Sequence, residues 1–256
     1  MKSYHTIILV GGRSTRFKDY NDNANKPKSL GLIDNDALII YVIKNFIKYE
    51  IQNFILPLGF YKNEFIEYFK KIQRIGNIKC NIAYNENDYF YFCNNKKKEI
   101  NIYLCYTGLY KNKAERVYEV VKKLSINKFI VSYGDAIGNV NLKKVFKYHY
   151  DSNCDATGVG MIMRSQYGHY SINEKTVVTQ IIEKPVIENM VNIGYFFFKK
   201  NLIEYFNKYK KLDLENGVIK KIIKKKKFNV YHHKKFWKSV DTFKDLIELR
   251  KFLKKN

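Results

Sequence analysis

The residues best suited to chemistry lie near the start of the chain. Val10-Gly11-Gly12-Arg13-Ser14-Thr15-Arg16 follows directly on the β-branched run Thr6–Val10. Two glycines let a backbone turn tightly and bring N–H groups against phosphate oxygens. Arg16 adds a bidentate donor for the same anion. The pattern is neither GxGxxG nor GxxxxGK followed by Ser or Thr, so a dinucleotide fingerprint and a P-loop are disfavoured. A plain strand-to-helix turn would account for the glycines, but not for two arginines and two hydroxyls packed into four residues. Lys26-Pro27-Lys28 follows ten to twelve residues beyond Arg16. Its proline stiffens the segment and holds one lysine where its ammonium can meet transferring phosphate charge.

Other reactive residue types are scattered. The four cysteines, Cys80, Cys93, Cys105 and Cys154, show no CxxC spacing and no histidine at ligand distance, so reduced thiols in a cytoplasmic protein are expected and a zinc site is not. His232-His233 would point to opposite faces of a strand, which predicts a surface pair. Trp237 is expected to pack beside the loop that delivers Asp241, and Lys224–Lys227 to be a solvated helix end, where the helix dipole favours cations.

The elements that must position the glycine loop alternate along the first half. Thr6–Val10, Asn53–Leu58, Ile78–Tyr84, Ile100–Tyr106 and Lys128–Val131 read as strands. Ala37–Tyr49, Asn63–Ile72 and Ala114–Leu124 read as helices, and the polar stretch Asn85–Lys98 as a loop. Alternating βα units predict a doubly wound sheet with ligands at the carboxyl ends of its strands. In the second half Asp155–Met163, Val177–Ile182 and Asn192–Phe198 read as strands with little helix between them. Helices follow at Asn201–Tyr209, Leu214–Lys225 and Thr242–Leu253. The expected architecture is α/β, a doubly wound mixed, mainly parallel sheet, Rossmann-like, with a small β-rich flap. No linker or repeat divides it, so 1–256 is read as one domain, with functional halves at about 1–135 and 136–256.

Composition bounds the alternatives. The 256 residues carry a net charge of +23 and are 46% hydrophobic and 16% aromatic, which excludes general disorder. No apolar run reaches the ~18 residues of a membrane span, and Met1–His5 is no signal-peptide core. The positive charge asks for an anionic partner, although it is spread along the chain as AT-rich codon usage would spread it.

The motifs together resemble a known family. Gly11–Arg16, Lys26-Pro27-Lys28 and Tyr133-Gly134-Asp135 stand in the order found in sugar-phosphate nucleotidyltransferases. Glu183-Lys184-Pro185, Asn192-Ile193-Gly194, and Phe236-Trp237-Lys238-Ser239-Val240-Asp241-Thr242 with Asp245 are similar to those of the glucose-1-phosphate cytidylyltransferase branch. The resemblance implies that Val10, Gly11, Gly12, Arg13, Ser14 and Thr15 cradle a nucleoside triphosphate, with Gly134 beside them. Lys28 and Arg16 would be catalytic. Thr107, Lys111 and Arg116 fall on the segment that contacts the base. Asp135 and Asp241 would hold one Mg²⁺, with Mn²⁺ as a substitute, a hard cation suited to carboxylates and phosphates. Tyr167, Gly168, Glu183, Lys184, Asn192 and Gly194 would grip the acceptor, Lys184 near its phosphate.

The implied reaction is in-line attack of an acceptor phosphate on the α-phosphorus of an NTP, CTP favoured, with pyrophosphate leaving. A phosphate monoester, with its second pKa near ~6, is already anionic at neutral pH and needs no general base. The chain departs from the pattern in three places: Ser14 stands for a usual third glycine, Ala114-Glu115 for paired glycines, and Gln166-Tyr167-Gly168-His169-Tyr170 for an Arg-Phe-Gly sugar pocket. The acceptor therefore stays open between a sugar 1-phosphate such as glucose-1-phosphate and a non-sugar phosphate such as phosphocholine or phosphoglutamine, for capsule or surface-polysaccharide modification. A basic nucleic-acid-binding protein is the rival class, but it leaves Asp135 and Asp241 without a purpose. A catalytically silent subunit would be favoured if Lys28 or either aspartate were missing. Neither nucleic acid nor membrane is expected as a partner, and a homo-oligomer is left open.

Overall fold

The computed structural model describes residues 3–14, 27–72, 74–75, 78–85, 88–95 and 98–255. In chain order, β1 (His5–Leu9) precedes a 3-10 turn at Lys28–Leu30, β2 (Leu32–Ile33), β3 (Asp36–Ala37), α1 (Leu38–Ile47), β4 (Asn53–Leu58) and α2 (Lys62–Lys71). Then come β5 (Arg74–Ile75), β6 (Ile78–Asn85), β7 (Asp88–Asn95), β8 (Lys98–Tyr106), α3 (Lys113–Lys123), β9 (Phe129–Tyr133), β10 (Ala136–Gly138) and α4 (Leu142–Asp151). β11 (Ala156–Met161), the hairpin β12 (His169–Ile172) and β13 (Val178–Ile182), β14 (Val191–Phe198) and α5 (Ile203–Tyr209) follow. A π-helical stretch, Leu214–Ile219, leads into α6 (Lys220–Lys224), β15 (Phe228–His233), β16 (Trp237–Ser239) and α7 (Phe243–Lys255).

Ten strands form one sheet in the order β15-β11-β14-β9-β1-β4-β8-β7-β6-β5. The pairs β9–β1, β1–β4, β4–β8 and β11–β15 are parallel, and strands from both halves of the chain share the sheet. The mixed, doubly wound architecture expected above is therefore present, and β12–β13 is a separate two-stranded flap. Alternation along β1 explains the two layers. Ile8 joins a core with Phe46, Phe65 and Phe146 from α1, α2 and α4. Ile7, one residue earlier, faces Val117, Val121 and Phe206 from α3 and α5. A third cluster packs Leu246 and Leu249 of α7 on Ile33, Leu38, Ile137 and Val240. No helix among the described residues is long and apolar enough to cross a membrane.

Several expectations need correction. Asn85–Lys98 is not a loop, because β7 runs through Asp88–Asn95 and pairs with β6 and β8; its Tyr and Phe residues favour a pleated surface despite the flanking asparagines. Helix α4 lies where no helix was read. Leu142, Val145, Phe146 and His149 form its buried stripe, and the Asn141 side chain caps it by accepting from the Lys144 N–H. His232-His233 is not a surface pair, because β15 turns His233 inward, where its Nε2 lies 3.1 Å from the Phe236 carbonyl.

Candidate functional site

The sheet order decides where a ligand can sit. From β1 the chain winds outward through β4 and β8, then returns to lay β9 on the other flank of β1. The crevice outside the carboxyl ends of β1 and β9 is thus the topological switch point, where open α/β sheets bind ligands. Leu9 and Tyr133, the last residues of these strands, are register partners. A cleft of about 500 Å³ opens there, lined by Val10, Gly11, Gly12 and Ser14, by Lys28, by Tyr133 and Asp135, and by Asp241.

Two carboxylates 106 residues apart in the chain meet in this cleft because of a small antiparallel pair. β10 follows Asp135, β16 precedes Asp241, and Ala136 pairs with Ser239. The Val240 N–H donates to the Asp135 carbonyl at 2.7 Å. Asp245 finishes the placement, since its carboxylate accepts from the N–H groups of Asp241 and Thr242 and from the Thr242 hydroxyl. Burial pushes the Asp245 carboxyl up, but these hydrogen bonds carry it below the usual range. Between Asp135 and Asp241 sits the ammonium of Lys28, paired with Asp135 Oδ2 and 3.2 Å from Asp241 Oδ1. Its backbone is held from the first loop, where Ser14 Oγ accepts the Lys28 N–H at 3.2 Å.

Such a pair of carboxylates, already holding one cation, suits a hard divalent ion that takes its remaining ligands from phosphate and water. No group of three or more His, Cys, Asp or Glu capable of holding a metal occurs among the described residues.

The first loop divides its residues between support and exposure. A Cβ at Gly12 would meet nothing within 4 Å, so its backbone is open to a ligand. Ser14, where the family usually has glycine, has φ +49°. Here the chain takes a left-handed backbone at a residue that rarely adopts it, and the side chain supplies the hydrogen bond to Lys28. Arg13 lies over the Phe60 and Tyr110 rings, 4.6 and 5.6 Å from their centroids. Thr15, Arg16 and Lys26 lie outside the described residues.

Thr107 and Arg116 are brought to the cleft wall but turned inward. Thr107 is buried and its hydroxyl donates to the Leu58 carbonyl at 2.9 Å. The Arg116 guanidinium, 4% exposed, is spent on protein oxygens rather than left open to a base. Ala114 and Glu115, in place of the paired glycines, are also buried, and Glu115 forms a capping box with Asn112. Lys111 does line the cleft, ion-paired with Glu119. Gly134 packs so tightly that a Cβ would fall 2.6 Å from Val10 Cγ1.

The acceptor-side residues are not gathered in this cleft. Glu183 and Lys184 are exposed, with Lys184 Nζ 3.9 Å from Glu183 Oε1. Gly168 abuts Glu183, and Tyr167 is 75% exposed. Asn192 accepts the Gly194 N–H at 2.9 Å, and Gly194 presses on Tyr133, which borders the cleft.

Other wall residues went unread in the sequence: Ser29, Asn112, Lys113 and Asp213. Lys113 reaches Asp213 at 3.3 Å and Glu215 at 2.5 Å. Burial lowers its pKa and these carboxylates more than restore it. Asp213 has φ +71° and ψ 175°, a region almost confined to glycine. In a chain this rich in lysine, nothing in the local pattern distinguishes this pair.

A family model described as "Nucleotidyl transferase" matches residues 5–256. The chain belongs to the nucleotidyl transferase family. It is accordingly a nucleotidyltransferase, and the crevice lies where the sheet topology puts such a site. A protein of Bacillus subtilis described as a probable glucose-1-phosphate cytidylyltransferase is 26% identical over 96% of this chain and 94% of its own length. Glucose-1-phosphate adenylyltransferase of Bacillus licheniformis is 28% identical over 54% of this chain and 41% of that protein. The solved structure of HddC from Yersinia pseudotuberculosis superimposes with a TM-score of 0.63 at 17% identity, covering 98% of this chain and 99% of that one. At that identity the likeness concerns the fold.

Proposed function

We propose that this nucleotidyltransferase moves a nucleotidyl group from CTP to the phosphate of a sugar 1-phosphate such as glucose-1-phosphate, releasing pyrophosphate. The observation that carries the reading is the Lys28 ammonium held between Asp135 and Asp241 at the switch-point crevice, beside the open backbone of Gly12. CTP is favoured by the relative similar over nearly its whole length. We take the chain as one domain, its first half serving the nucleotide and its second the acceptor.

In this mechanism the N–H groups of the Gly11–Gly12 loop donate to the triphosphate. Lys28 meets the negative charge that gathers on the attacked α-phosphoryl group, and Arg16 assists. An oxygen of the acceptor phosphate forms a bond to the α-phosphorus as the bond to the β-phosphate oxygen breaks. The electron pair leaves with pyrophosphate, and no proton need be removed from the acceptor. Asp135 and Asp241 would hold Mg²⁺, which when bound supplies charge neutralisation at the phosphates. Positioning and electrostatic stabilisation supply the catalysis. On the acceptor side Glu183, Lys184, Asn192, Gly194, Tyr167 and Gly168 hold the substrate, with Lys184 at its phosphate.

A second reading keeps the transfer and changes the acceptor to phosphocholine. It is favoured by the exposed rings of Tyr167 and Tyr170 on the flap, since aromatic faces bind quaternary ammonium groups. Pyrophosphate release decides, with Mg²⁺ present and each of the four NTPs paired with glucose-1-phosphate, other sugar 1-phosphates, phosphocholine and phosphoglutamine. Turnover with CTP and glucose-1-phosphate is the expected result. Turnover with CTP and only phosphocholine selects the second reading, and no release with any pair overturns both.

A further inference from the structure

The least explained group at the cleft is the guanidinium of Arg116. It is buried on α3, yet the five oxygens it reaches are neutral. Nη1 donates to the carbonyls of Leu58 and Gly108 at 3.0 and 2.8 Å and to the Thr107 hydroxyl at 2.7 Å. Nη2 donates to the carbonyls of Gly11 and Leu109 at 3.1 and 3.0 Å. Burying a charge is costly, but an apolar side chain of the same volume would leave these carbonyls without their donors. The guanidinium is therefore what pairs the backbone around it.

The positions of the acceptor oxygens show what the cation does. Gly11 belongs to the first loop, which lines the cleft and which the proposed function assigns to the triphosphate. Thr107, Gly108 and Leu109 form the segment that leads from β8 to Lys111 on the cleft wall, and Leu58 ends the strand between them. The packing is as close as atoms allow. A Cβ at Gly11 would fall 2.7 Å from Arg116 Cζ, and a Cβ at Gly59 would fall 2.6 Å from Arg116 Nη2 and collide with the Gly11 carbonyl. The two glycines therefore admit the guanidinium between them. A lysine could not do this, because a point charge with three donors cannot span five acceptors arranged around a planar fork.

We propose that Arg116 is the positioning residue that locks the triphosphate loop at Gly11 to the nucleotide-reading segment 107–111, so that both move as one unit. It touches no base itself. Triphosphate affinity and choice of NTP are then coupled through a single side chain, and the proposal rests on the nucleotidyl-transfer reading above.

The test uses the full-length chain carrying Arg116→Lys, with two readouts. The first is hydrogen–deuterium exchange of the ligand-free protein at residues 11–14 and 107–111. Exchange is expected to rise in both segments together, by about tenfold or more, as expected when buried charge-assisted hydrogen bonds are lost. The second is steady-state turnover with each NTP. The KM for the preferred NTP is expected to rise about 10- to 100-fold with kcat moving less, and the kcat/KM ratio between preferred and next NTP to contract toward one. A merely structural role would lower the active fraction and leave KM and that ratio alone. Wild-type exchange in folded Arg116→Lys, a rise in one segment only, or an unchanged NTP ratio would overturn the proposal. Should that variant not fold, Gly59→Ala, which drives a methyl at the same carbonyl and the same Nη2, is expected to loosen both segments; loosening of neither or of only one overturns it. If the wild-type chain turns over no NTP, the transfer reading fails, while the exchange experiment still decides the coupling.

Discussion

The crevice at the ends of β1 and β9 and the hairpin β12–β13 are built to different standards. In the crevice almost every functional group is held by another: Lys28 by Ser14, Asp135 and Asp241, the Asp241 backbone by Asp245, and the first loop by Arg116. In the hairpin all nine strand residues are exposed, including Tyr170, Ile172, Val178, Ile181 and Ile182, and a two-stranded ribbon by itself is only marginally stable in water. Stabilising charge on a transferring phosphoryl group requires donors that do not reorganise. Gripping an acceptor requires a surface that can vary while the chemistry stays the same. On the function proposed above, the difference between the two regions would put the transfer chemistry and the nucleotide on the scaffold and the choice of acceptor on an appendage.

The strongest way to break this contrast is at the paired carboxylates. Asp135→Ala and Asp241→Ala are each expected to lower pyrophosphate release by about a thousandfold or more, because the cation site needs both. Circular dichroism and the Tm should remain near wild type, since both side chains are partly exposed. Full activity in either variant would remove that aspartate from the site.

Lys28→Ala comes next. Its ammonium is expected to act on charge that develops in the transition state, so the loss should fall on kcat, about 10²- to 10³-fold, with little change in KM. An unchanged kcat would leave Lys28 as no more than a counter-ion for the two aspartates.

The flap should respond in the opposite coin. Glu183→Ala and Tyr167→Ala are expected to raise the acceptor KM by about tenfold while leaving the KM for CTP unchanged, because both lie outside the cleft proposed to take the nucleotide. A matched rise in the KM for CTP would show that the two regions are not separable.

What could be read in advance follows the same division. Strands β1, β4 and β9 are short, apolar and largely buried, so they and the glycine loop after β1 were legible, and Lys28, Asp135 and Asp241, singled out from their motifs, come together in one cleft. Helix α4 was missed although its apolar residues recur at helical spacing, and β7 was hidden by its asparagine flanks. Thr107 and Arg116 illustrate a deeper limit. Their types and spacing suit contact with a nucleotide, but whether a donor faces a ligand or a carbonyl is decided by residues such as Gly59 that lie far off in sequence and carry no side chain at all.

The smallest expected effect is also the most discriminating about how the crevice is held. Ser14 adopts φ +49° where glycine would be relaxed, a strain of about 1 kcal/mol. In return its hydroxyl accepts the Lys28 N–H, worth about 1 kcal/mol. Ser14→Gly removes both, and it adds freedom to the unfolded chain. The Tm should therefore shift only slightly. Activity should not be neutral, because Lys28 loses its one described backbone tether to the first loop. A fall in kcat of a few fold is expected, measured by pyrophosphate release at saturating CTP and acceptor. A fall as large as that of Lys28→Ala would make the hydroxyl itself part of the chemistry, and no fall at all would mean that Pro27 and the two aspartates suffice to aim the lysine.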